Sequence, residues 1–310
     1  MMAARNPGVA PLVEDGMTRL RGTLIAAAVP LFLLTACAQS AANSAAGAPG
    51  PLEKAATSPQ GAGDLVLRVE HVGGFVPVEH VAGALPSVSV YGDGRVITNG
   101  PVPAIYPGAA LPNVQVQTIS PAQLRQLVEQ GEQAGVKSGA DFGRPNVADA
   151  PATRVTVVTA AGPQTVSAEA LSEAQASDPM LTADQRAART KLSAYVDTLV
   201  SLSSAEGMPA AVAYQPQELA AITRTWVAPG DSIENPEMAW PGPALPGETL
   251  NANTGLGCVV VTGADQDKVL AVAKDATAIT PWTHGGKKWS ITFRPLLPDE
   301  KGCAALKGDR

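Results

Sequence analysis

The segment from Asp64 to His71, DLVLRVEH, alternates apolar and polar side chains with the period of two that half-buries a β-strand, and Ser87 to Tyr91 repeats the pattern. In SVSVYGDGRVIT (87 to 98) the pair Asp93-Gly94 separates two β-rich runs. Asp-Gly supplies the positive φ angles of a two-residue turn, so a hairpin is predicted there. Asn113 to Ile119 reads as a further strand. The period then changes. Ser120-Pro121-Ala122-Gln123 is a capping box with proline at the first helical position, Leu124, Leu127 and Val128 fall on one face of the helix it opens, and Gly135 is a natural stop. Thr153 to Thr159 and Gln164 to Ser167 predict a second hairpin around Ala161-Gly162. Thr182-Ala183-Asp184-Gln185 caps again and opens a helix to about Ser203, with Leu192, Tyr195, Val196, Leu199 and Val200 on one stripe.

Gly207-Met208-Pro209 breaks that helix and marks a boundary. Beyond it, Ala221 to Val227, Leu256 to Val261 and Trp289 to Arg294 read as strands, and Asp265 to Thr277 as a helix with Val269, Leu270, Val272 and Ala273 inward. The expected fold is α+β: two small domains, 64–207 and 208–310, each an antiparallel sheet with packed helices.

The first 63 residues follow neither period. A basic stretch, MTRLRG (17 to 22), precedes an apolar run, TLIAAAVPLFLL (23 to 34), and then the small residues Thr35 and Ala36 before Cys37. The run has the length of a signal-peptide core and is short for a membrane span. Leu34-Thr35-Ala36-Cys37 resembles the lipobox of bacterial lipoproteins. That resemblance implies diacylation of the Cys37 sulfur, cleavage before Cys37, and a protein held on the extracytoplasmic face of the cell membrane. Residues 38 to 63 are rich in Ala, Ser, Gly and Pro and read as a disordered tether, with a span of roughly 30 Å as a flexible coil. Glu14 and Asp15 precede the basic stretch, which points to Met17 as the true start. The expected division is a signal peptide over 1–36, the lipidated cysteine and linker over 37–63, and the two domains.

Composition narrows the function classes. The chain has 310 residues, 45% hydrophobic and 16% charged, with 27 prolines and a net charge of −6. Removing residues 1 to 36 takes away Arg5, Arg19, Arg21, Glu14 and Asp15, and the remainder stays acidic. No Lys/Arg block exists to neutralise phosphates, so nucleic acid is not an expected partner. With Cys37 carrying lipid, Cys258 and Cys303 are left as an even pair, expected as a disulfide in an oxidising compartment; two buried thiols are the alternative.

Candidate chemistry is sparse. Val69-Glu70-His71-Val72 and Val78-Glu79-His80-Val81 echo one another, but neighbouring Glu and His on a strand point to opposite faces, so they read as edge polarity and no metal site is expected. Asp265-Gln266-Asp267 reads as acidic residues favoured at a helix start. Gly230-Asp231-Ser232-Ile233 resembles the nucleophile block of GDSL-type hydrolases, which implies Ser232 as nucleophile; the base would fall to His284, although Pro281 stands where that family carries Asp. Two phrases, Tyr106-Pro107-Gly108-Ala109-Ala110-Leu111-Pro112 and Trp240-Pro241-Gly242-Pro243-Ala244-Leu245-Pro246, share one aromatic-Pro-Gly-x-Ala-Leu-Pro pattern. They read as stiff loops pinned by a buried ring or, with Tyr106 and Trp240 outward, as binding loops.

The succession of YGDG hairpin, strand, capped helix, hairpin and long final helix over residues 85 to 203 resembles a bacterial domain family of unknown function, and the chain as a whole is similar to exported actinobacterial lipoproteins. These resemblances imply an α+β fold and no activity. The function expected is non-catalytic binding of a protein or envelope component, with no cofactor. An exported serine hydrolase using Ser232 and His284, or a small-ligand carrier, is the alternative.

Overall fold

The computed structural model describes residues 61, 63–230, 233 and 235–307, which lie in one compact unit. It is an α+β fold of two sheets with packed helices. The first sheet is antiparallel throughout. Its strands are β1 (Leu65–Val72), β2 (Val88–Tyr91), β3 (Arg95–Asn99), β4 (Val114–Thr118), β5 (Ala152–Thr159), β6 (Gly162–Glu169) and β7 (Val212–Ala213), in the order β6-β5-β1-β2-β3-β4-β7. The second is built from β8 (Leu219–Thr225), β9 (Met238–Ala239), β10 (Glu248–Asn251), β11 (Leu256–Val261), β12 (Trp282–His284) and β13 (Lys287–Pro295), in the order β10-β11-β8-β13-β12-β9, with only β9 and β12 parallel.

Two helices cover one face of the first sheet. Helix α2 (Pro121–Gln133) starts at Ser120, whose hydroxyl accepts from the Gln123 amide while the Gln123 side chain accepts from the Ser120 amide at 2.9 Å. Helix α3 (Ala183–Ser201) starts at Thr182 with the same reciprocal bonds to Gln185. Leu124, Leu127, Leu192, Tyr195 and Leu199 meet Val66, Val90, Val155 and Val157 of the sheet in one apolar cluster. Val200, expected on the same stripe, is 44% exposed: the step of 100° per residue carries it past the edge of the buried face. Gly135 ends α2 with φ of 84°, a conformation that suits glycine.

The second sheet also has two covered faces. On one, helix α4 (Gly263–Ala273) contributes Val269 and Ala273 against Leu219, Ala221, Val261 and the rings of Trp240, Trp282 and Phe293. On the other lies a short helix from the first half of the chain, α1 (Val78–Gly83), with Ala82 beside Ala220, Ile222 and Leu296. The second Glu-His echo, read from sequence as an extended strand, is therefore helical. Pro77 stands at its N-cap, and α1 buries its small face against β8 and β13. Returning the exchange, Leu297 of the C-terminal segment packs on Tyr91, Ile97 and Val114, on the face of the first sheet away from α2 and α3. The chain beyond Gly207 likewise adds β7 to the first sheet before it enters the second.

The hairpin at Asp93-Gly94 forms, with a different turn. The Gly94 amide donates to the Tyr91 carbonyl (2.9 Å), so Gly92 and Asp93 are the central residues, and only Gly94 has a positive φ, 83°. This is the longer turn with a glycine bulge; Asp93 accepts from the Arg95 amide and guanidinium, which holds it.

Candidate functional site

Strand register sets the site. Val69 pairs with Val88, Val88 with Thr98 and Asn99 with Val114, so the β1–β2 and β3–β4 connections leave the same end of the first sheet. Leu65, paired with Tyr91, lies at the other end, where the Gly92 amide donates to the Asp64 carbonyl. Asp64 and the start of β1 therefore lie at the end opposite to those two connections, a strand length of about 25 Å away.

The β3–β4 connection is charge-free from Asn99 to Asn113 and carries four prolines. Its base is closed by the Gly100 amide donating to the Asn113 carbonyl (2.7 Å) and by Asn113 Nδ2 donating to the Pro101 carbonyl (2.8 Å). Its far arm is tied to the second half of the chain: Ala109 bridges Thr277, the Ala110 amide donates to the Ala276 carbonyl, and the Ala278 amide to the Gly108 carbonyl. Ala110 and Leu111 pack on the core behind α4. Between these two fixings stand Val102, Ile105 and Tyr106, 71%, 66% and 65% exposed. Phe75, 90% exposed, sits in the β1–β2 connection at the same end of the sheet. The loop's ordering is built into the folded chain, so binding to it costs little conformational entropy. Its three large apolar side chains lose water when they are covered.

The twin phrase ends differently. Trp240 is 6% exposed, lies edge-on to Trp282 at 5.9 Å and stacks on Phe293 at 6.3 Å, while its Nε1 donates to the Pro243 carbonyl. Its ring is part of the core, which removes Trp240 as a surface binding residue. Tyr106, by contrast, is 65% exposed.

The remaining candidates fall in separate places. Cys258 and Cys303 form a disulfide with their Cα atoms 6.0 Å apart, joining β11 to the turn of 3-10 helix at Cys303–Leu306. Cys37 lies outside the described residues, as do Asp231 and Ser232. His284 is half-buried at the end of β12. Glu70 pairs with Arg154 and Glu79 with Arg224, so each carboxylate of the Glu-His echo is engaged by an arginine. Asp265 pairs with Lys268 in the first turn of α4. Among the described residues no three His, Cys, Asp or Glu side chains gather as a metal site.

A polar junction joins the two halves and was not legible beforehand. Arg68 donates to Asp299 (2.8 Å) and to the Tyr91 hydroxyl, which itself donates to Asp299 (2.8 Å). Burial acts to lower the Arg68 pKa, yet Asp299 and Tyr91 outweigh it and the net direction is upward. Burial raises the Tyr91 phenol strongly. Beside this lies Arg294, wholly buried, donating to Glu300 and to the Ala84 carbonyl.

Comparison of the chain with protein-family models, with curated proteins and with solved structures finds no match.

Proposed function

We propose that the chain is an extracytoplasmic lipoprotein, held to the cell membrane through Cys37, that binds a protein or envelope component through the apolar loops at the end of the first sheet. The observation that carries this reading is the pinned, charge-free loop that leaves Val102, Ile105 and Tyr106 in water. Apolar groups of this size gathered on one fixed loop are the usual mark of a recognition surface. The lipobox residues Leu34 to Cys37 support the anchor, and the Cys258–Cys303 disulfide suits an oxidising compartment. Support also comes from β1 beginning at the end of the sheet opposite to these loops.

Two experiments test the two parts. In fractionated cells, Cys37→Ser moves the protein out of the membrane fraction; unchanged membrane association overturns the anchor. A photo-crosslinking side chain at position 105 captures a discrete partner on intact cells, and Tyr106→Ser with Val102→Ser reduces the yield about tenfold or more, as loss of buried apolar anchors requires. Equal capture from an exposed control position such as 125 on α2 overturns the loop as the recognition surface.

A further inference from the structure

Helix α3 carries two arginines three residues apart, Arg186 and Arg189, that line a cleft of about 470 Å³ between the helix and the β6–α3 connection. Arg189 is 6% exposed and donates to the carbonyls of Phe142 (3.2 Å), Glu169 (2.8 Å) and Ala170 (2.6 Å). Arg186 donates through one nitrogen, Nη1, to the carbonyls of Asp178 and Leu181. Neither guanidinium forms an ion pair among the described residues.

Carbonyl contacts of this kind staple a loop to a helix, and an uncharged donor does the same. Two like charges at this spacing oppose each other on a helix. The chain has 28 acidic residues, and six other arginines here are matched with carboxylates. The nearby Asp178 carboxylate is directed elsewhere, accepting from the amides of Asn146 (2.9 Å) and Met180 (2.8 Å). Burial holds the Arg189 pKa below its ordinary value, while the charges of Asp178 and Glu173 act in the opposite direction.

The cleft gives that charge a use. Its walls are Leu171 and Leu181, its helix side is made of the small residues Thr190, Ser193 and Ala194, and Nε and Nη2 of Arg186 have no hydrogen-bond partner among the described residues. Asp197 lies at the far end, about 16 Å along the helix from Arg186, and repels a second negative charge there. We propose that this cleft binds a small organic anion through a single carboxylate or phosphate group, gripped by the open edge of the Arg186 guanidinium with Arg189 supplying further positive charge from behind. The planar fork of arginine suits both groups.

Calorimetric titration of the full chain in detergent with butyrate, a monocarboxylate, and, separately, inorganic phosphate tests the site. Saturable binding with a dissociation constant of about 1 mM or tighter is expected for at least one of them, and which one binds assigns the anion class. Arg186→Gln weakens it about tenfold or more, the loss expected for a charge-assisted contact. Ala194→Leu, which fills the cleft from an exposed helix position and leaves both charges in place, does the same. If Arg186→Gln unfolds the protein, Ala194→Leu alone carries the test. Absence of saturable binding by both anions up to about 20 mM, or binding unchanged by Ala194→Leu, overturns the proposal.

Discussion

Arg294 and Glu300 form an ion pair of 2.8 Å with side chains 0% and 4% exposed, six residues apart on the segment that crosses from the second sheet to the first. Glu300 also accepts from the Leu297 amide (2.8 Å), and Arg294 reaches the Ala84 carbonyl just after α1. One charge pair thus ties α1, the end of β13 and the segment over the first sheet. Removing one partner leaves the other charged and dry, so Arg294→Met or Glu300→Leu alone is expected to destabilise by about 3–5 kcal/mol. The double variant recovers much of that loss. Urea unfolding of the four proteins measures the coupling.

The disulfide closes a long loop over the same region. On the chain-entropy model it contributes about 4 kcal/mol, so Cys258→Ala with Cys303→Ala lowers the unfolding free energy by an amount of that order. Thiol titration of the unfolded, unreduced chain finds no reactive sulfur from these two residues, and reduction releases both.

Gly83 permits α1 to lie against the second sheet. A Cβ at Gly83 would sit 2.7 Å from Thr292 Cγ2 on β13. Gly83→Ala is expected to cost about 1–3 kcal/mol by overpacking. Thr292→Ser removes the opposing methyl, and a double-mutant cycle by thermal unfolding shows the penalty falling when both changes are present.

Three of the four tyrosines are held protonated by burial. The Tyr91 and Tyr195 phenols are raised beyond the ordinary range and that of Tyr214 is pushed up to about 12. In the unfolded chain a phenol ionises near about 10. Above that pH the unfolded state has lost protons that the folded state keeps, so stability falls as pH rises. The loss is absent below pH about 10 and runs on through the folded values. Tyr214→Phe removes the share that ends near 12. Unfolding midpoints followed from pH about 8 to 12 record the slope and its change in the variant.

Much of the local structure was legible because its causes are local. Ser120 and Gln123, or Thr182 and Gln185, make their bonds within four residues, so the spacing that announces the helix start is the geometry that creates it. The strands β2, β4, β5, β11 and β13 were visible from alternation and β-branched content. The turn at Asp93-Gly94 was read in the right place with the wrong geometry, because the dipeptide fits two turn lengths and the pairing of β2 with β3 selects between them. Helix α1 is not legible in the sequence because six residues hold too little periodicity, and its stability comes from β8 and β13, far off in sequence.

The fate of Tyr106 and Trp240 draws the same line. The sequence alone determines the shared phrase, the even cysteine pair left once Cys37 is set aside, the two capped helices and the α+β class, since each follows from nearest neighbours, spacing or composition. Tertiary structure decided which aromatic is buried, which arginines have carboxylate partners and which have only carbonyls, and that α1 of the first half lies on the sheet of the second. Several of those outcomes depend on groups far apart in the chain, as Arg294 meets Ala84 across 210 positions and Arg68 meets Asp299 across 231. Burial and pairing over such separations are properties of the packed chain, and no short window of residues contains them.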